Sequence, residues 1–140
     1  MEQVLIEYRW DETMRTGDET SDTQHRELIR QMNMLLSAMA VGEGTAQIAP
    51  LPDFLANYTV AHFRQEEELM ETYHCPAAAA NKTAHTEFLK KFGDYTSQLK
   101  DSASGSSAAS IQLLRELSGW LLNHIRSIDA QMLPYAQKVK

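Results

Sequence analysis

The chain is short of cysteine. A single one, Cys75, stands among 140 residues, which excludes an internal disulfide framework. Long apolar runs are missing too. None approaches the roughly 20 residues needed to span a bilayer. The opening Met1-Glu2-Gln3 lacks the basic and then apolar character of a signal peptide, so a cytoplasmic location without a membrane partner is expected. Cations are outnumbered: 13 Lys and Arg stand against 19 Asp and Glu, a net charge of −6. That balance argues against a nucleic-acid surface. No internal repeat is visible. One low-complexity patch, Ser102-Ala103-Ser104-Gly105-Ser106-Ser107, reads as a loop between two periodic segments. The length fits one domain over residues 1–140 with a real core.

What the chain does have is helical periodicity with histidine in it. The central stretch is His62-Phe63-Arg64-Gln65-Glu66-Glu67-Glu68-Leu69-Met70. Positions four apart lie about 40° apart around a helix, so His62 and Glu66 share a face. That face is the apolar one. Leu55, Tyr58, His62, Glu66, Leu69 and Tyr73 follow a three-four spacing, while Arg64, Glu67 and Glu68 turn to water. An imidazole and a carboxylate in an apolar stripe must be satisfied. A metal ion would satisfy both, and so would a His–Glu hydrogen bond inside the core.

Four helices follow from the pattern. The first is expected over about Ser21 to Ala40, capped by Ser21 or Asp22, with His25, Leu28, Ile29, Met32, Leu35, Leu36 and Met39 facing inward and Gly42 and Gly44 ending it. The second starts near Pro52 and runs to about Tyr73, before Cys75-Pro76. The third spans about Ala77 to Leu99, with Asn81, His85, Phe88, Phe92, Tyr95 and Leu99 inward. The fourth spans about Ser107 to Gln137, with Leu114, Leu117, Leu121, His124, Ile128 and Met132 inward, Ile125 and Asp129 beside them, and Pro134 limiting its last turn. Before them, residues 1–20 read as an apolar arm folded over one end of the bundle. The expected fold class is all-α, an up-down-up-down four-helix bundle over residues 21–137. Each helix places a metal-capable residue inside. Imidazole with carboxylate suits iron, zinc or manganese, and the set is too large for one tetrahedral zinc. The number fits two metals bridged by carboxylates.

Four ordered motifs then resemble the bacterial hemerythrins. They are Trp10, Thr16-Gly17 and Asp22-Thr23-Gln24-His25; the His62 to Met70 stretch; Tyr73, Pro76, His85 and Phe88; and Trp120, His124-Ile125 and Asp129. The resemblance implies two non-haem iron ions with an oxo or hydroxo bridge. It implies His25 and His62 on one iron, His85 and His124 on the other, and Glu66 and Asp129 bridging. The separation of His124 from Asp129 is about 140° around a helix, so that pair comes from the resemblance alone. The family has a histidine where this chain has Asn81, which leaves a weak or vacant ligand position. No catalytic residue is implied. The resemblance points to an oxygen- or redox-sensing domain that binds O2 or a small anion. A signalling output domain such as a diguanylate cyclase would follow Tyr135-Ala136-Gln137-Lys138-Val139-Lys140. Oxygen carriage or storage, and a di-iron oxidase or peroxidase, are the alternatives, with a metal-free helical interaction module as the third. His74, in a turn, and Cys75 read as turn residues, and Trp10 and Trp120 as packing residues.

Overall fold

The computed structural model describes residues 8–40, 50–101 and 108–139. Val4 and Ile6 of the arm, Gly42, Gly44 and the serine-rich patch lie outside them. Among the described residues four long helices form: α1 Glu19–Ala40, α2 Pro50–Thr72, α3 Ala78–Asp101 and α4 Ala108–Ser127. A 3-10 turn, Asp129–Met132, follows α4 and leads into a short helix, α5, Leu133–Val139. Helix α1 packs on α2 and α4, α2 on α3, and α3 on α4. This closed ring is an all-α four-helix bundle, with no strand among the described residues.

Helix α1 begins two residues before Ser21. Its cap is Asp18, whose Oδ2 accepts the Ser21 N–H at 2.9 Å and whose Oδ1 accepts the Tyr73 hydroxyl at 3.0 Å. Asp18 thus satisfies an orphan donor of α1 and ties it to the end of α2. Asp22 is not the cap. Its carboxylate turns back to the preceding loop, accepting from the backbone N–H and the hydroxyl of Thr16, both at 2.9 Å. Gly17, at φ +82°, lies against Leu133 so closely that a Cβ there would sit 2.9 Å from Leu133 Cδ1. Only glycine accommodates both the dihedral and the contact.

Helix α2 ends in a Schellman motif. Cys75 N–H donates to Met70 O at 2.9 Å and His74 N–H to Glu71 O at 3.1 Å, with His74 in the left-handed conformation at φ 55°. His74 is exposed. Cys75 is buried beside Met70 in a small apolar cluster.

The arm is described from Tyr8, and its stretch from Tyr8 to Met14 does not fold over an end of the bundle. It lies along the groove between α1 and α4. The Asn33 side chain bonds both backbone groups of Tyr8, at 3.0 and 2.8 Å, and the Tyr8 hydroxyl donates to Arg115 O. Arg126 holds Thr13 and Asp11 further on, and the Arg26 guanidinium sits 4.2 Å above the Trp10 ring. These polar anchors decide the path, because a short segment gains too little apolar burial to choose one by itself.

The largest departure is in the fourth helix, which does not continue to Gln137. It stops at Ser127. Asp129 then opens the 3-10 turn and is buried there. Pro134 sits in the first turn of α5, where its missing N–H costs nothing.

Two apolar clusters make the core. The larger includes Leu28, Met32 and Leu35 of α1, Leu55 and Phe63 of α2, Phe88, Phe92 and Tyr95 of α3, and Leu114, Leu121 and Ile125 of α4. Each large side chain buried there contributes about 1.5–3 kcal/mol. The smaller cluster joins Met70, Cys75, Ala77, Met132 and Ala136. Between them, in chain order along each element, fall Glu66, Asn81 with His85, and Asp129. The polar residues therefore form one layer with apolar packing on both sides.

Candidate metal centre

Seven polar side chains meet in this layer, and all are buried: His25, His62, Glu66, Asn81, His85, His124 and Asp129. Helix α1 supplies His25, α2 His62 and Glu66, α3 Asn81 and His85, and α4 His124. The break after Ser127 supplies Asp129. On a continuous helix that carboxylate would lie far around the axis from His124. The turn brings its Oδ1 to 3.1 Å from His124 Nε2.

The two carboxylates divide their oxygens. Glu66 Oε2 lies 2.8 Å from His25 Nε2 and 3.2 Å from His62 Nε2, while its Oε1 lies 3.2 Å from His85 Nε2. Asp129 repeats the division, with Oδ2 3.2 Å from His25 Nε2 and Oδ1 beside His124. Among the described residues two donor groups result: His25, His62, Glu66 and Asp129, and Glu66, His85, His124 and Asp129. The donor atoms of each group lie within 4.8 Å of one another.

Several of these atoms make no hydrogen bond despite complete burial: His62 Nε2, His85 Nε2 and Asp129 Oδ1. Each has a polar atom within 3.2 Å but makes no hydrogen bond to it. The donors converge on common points between them. Donors about 2.1 Å from one ion stand roughly 3 Å apart when adjacent in its shell, and the observed spacings of 2.8 to 3.2 Å match. The residues fit a pair of metal ions that share Glu66 and Asp129.

The electrostatics lead the same way. Burial pushes His25 down, but Asp129 and Glu66 outweigh it and raise its pKa to about 10. Burial likewise lowers His85, and Glu66 foremost raises it above the ordinary value. Burial pushes Glu66 up, but His25, His62 and His85 hold it well below the usual carboxylate range. Two buried carboxylates require positive charge between them, and without a metal His25 and His85 supply it as protons.

Outer contacts aim the rings. His62 Nδ1 lies 2.6 Å from Gln24 Oε1 and His85 Nδ1 3.1 Å from Glu67 Oε2. Both acceptors keep the proton on Nδ1 and turn the Nε2 lone pair inward. Phe63 stacks on the His85 ring at 3.6 Å and 4°, and Trp120 on the His124 ring at 5.0 Å and 7°. Sequence periodicity missed Gln24 and Glu67. The expected face of Glu67 is the solvent one, whereas its carboxylate reaches across to α3. The buried stripe of α2 also differs from the expected one. Thr59, Phe63 and Met70 are buried, while Tyr58, Leu69 and Tyr73 are only half-buried.

The family model for the hemerythrin HHE cation binding domain matches residues 16–136. This chain belongs to the hemerythrin family. A bacteriohemerythrin of Stenotrophomonas maltophilia is 34% identical over 131 residues, 94% of this chain and 80% of the relative. One from Pseudomonas aeruginosa is 33% identical over 121 residues, 86% and 76%. A myohemerythrin of Riftia pachyptila is 28% identical over 127 residues, 91% and 92%. Hemerythrin domains hold a non-haem di-iron centre that binds oxygen, and in general they are not catalytic. The two donor groups of this hemerythrin are positioned to hold those ions. Among the described residues no helix is long and apolar enough to cross a membrane.

Proposed function

We propose that this hemerythrin is an oxygen- or redox-sensing domain of the cytoplasm, spanning residues 1–140, with a signalling output beyond its C-terminus. In this reading His25 and His62 hold one iron, His85 and His124 the other, and Glu66 and Asp129 bridge them. The irons supply the oxygen affinity and the redox chemistry. The protein sets their ligands, keeps the layer dry and couples it to the fold.

The observation that carries the sensing role is the position of Asp129. It opens the 3-10 turn between α4 and α5, so it belongs both to the polar layer and to the joint between those two helices. Met132 and Ala136, which follow it, pack in the cluster beneath the layer. A change in how strongly Asp129 is held therefore acts on the segment Leu133–Val139.

The test has two parts. Iron content and optical spectra, reduced and then air-exposed, should give two irons per chain with charge-transfer bands in the oxidised form. Hydrogen exchange in the two states should then differ across residues 129–139 more than across α2 and α3. Equal exchange in both states would leave a di-iron oxygen-binding domain without the sensing role.

A further inference from the structure

Asn81 is the seventh member of the polar layer and is completely buried. Its amide uses its two ends in different directions. Nδ2 donates to Glu66 Oε1 at 3.1 Å, and Oδ1 lies 2.7 Å from His124 Nε2. Glu66 fixes that orientation. A carboxylate only accepts, so turning the amide over would set two acceptor oxygens face to face.

His124 Nε2 is a donor atom of the second group. A metal there takes the lone pair of that nitrogen, which then carries no proton. Its hydrogen bond to Asn81 disappears with the proton. A buried carbonyl oxygen is left pointing into the position the ion occupies, and its spacing from His124 suits two adjacent donors of one shell.

Resting on the di-iron reading above, we propose that Asn81 is itself a ligand: its amide oxygen binds the metal at the His85–His124 position and makes the two positions unequal. Among the described residues the His25–His62 position has no comparable neutral donor. The second position then has two nitrogens and three oxygens from the protein, the first two of each. An uncharged carbonyl oxygen is a harder donor than imidazole and favours ions content with oxygen. The second position thus has one more protein donor than the first.

The test is a stepwise titration of the metal-free protein with zinc, a diamagnetic probe. The Asn81 side-chain amide resonance and the heat of each step are followed together. The Asn81 amide should move with one of the two zinc equivalents and not the other. Asn81→Leu should weaken that one step by about 10- to 100-fold, leave the other unchanged, and be rescued by Asn81→His. An amide that neither equivalent moves would overturn the proposal. So would an Asn81→Leu protein in which both steps weaken together, because Asn81 would then act only by holding Glu66. Should the leucine variant fail to fold, Asn81→Ala takes its place in the titration, with one weakened step expected and joint weakening of both steps again contrary to the proposal. A folded protein that takes up neither zinc nor ferrous iron overturns the di-iron reading instead.

Discussion

His25 lies between two buried carboxylates, close to an oxygen of each. In the metal-free protein its proton is the positive charge that the layer requires. Its folded pKa of about 10 stands above the roughly 6.5 of an unfolded histidine, so the folded chain holds this proton more tightly. The stability it contributes is complete below about pH 6.5 and is lost as the pH rises through about 10. Glu66 is displaced the other way, and its contribution is lost as the pH falls. Urea unfolding of metal-free protein should therefore give a midpoint that declines from neutral pH towards pH 10. A midpoint flat across that range would contradict the geometry. Glu67 makes a second residue-scale case. Glu67→Ala removes the carboxylate that holds His85 Nδ1. Loss of such an outer partner should weaken metal binding by about 10- to 100-fold, measured by titration, with little change in unfolding of the metal-free protein. The sequence could not reveal this contact. Helical periodicity sorts residues into inward and outward faces, and Glu67 sits on the flank, where reaching a neighbour depends on which helix packs there.

At the scale of elements, the three-four pattern located all four long helices and placed His25, His62, Glu66, Asn81, His85 and His124 on buried faces. It failed at Ser127. A 3-10 turn has about three residues per turn, so Leu121, Ile125, Ile128 and Met132 keep helical spacing across the break and the apolar pattern does not register it. Periodicity set Asp129 beside the inward stripe, but its pairing with His124 was legible only through resemblance, because that approach depends on the break. The caps were displaced for a related reason. Asp18, Ser21 and Asp22 are all capable caps by type, and only the long-range bonds to Tyr73 and Thr16 distribute their roles. The end of α2 offers a clean test of local strain. His74 holds φ 55°, a conformation that costs an ordinary residue about 1 kcal/mol more than glycine. Its side chain is exposed and outside both donor groups. His74→Gly should therefore stabilise the protein by about 0.5–1 kcal/mol in urea unfolding, with metal content unchanged. A loss of metal in this variant would give the fifth histidine a place in the centre after all.

At the scale of the whole molecule, the polar layer joins all four long helices and the turn after α4. It lies between two apolar clusters that pack without it. The larger cluster spans every long helix, so the bundle has enough core to fold before any metal binds. Metal should then act by linkage, adding stability to a structure that already exists. Each filled site contributes about 2.7 kcal/mol when free metal is a hundredfold above its dissociation constant. Chelation should lower the thermal midpoint while leaving the far-ultraviolet circular dichroism at low temperature unchanged. His62→Ala, which removes a donor from the first group and frees Gln24, should lose part of the metal-dependent rise. If chelation instead abolishes the helical signal, the apolar clusters are insufficient alone. The layer would then be the element that assembles the bundle, and the protons on its histidines would not be an adequate substitute for the ions.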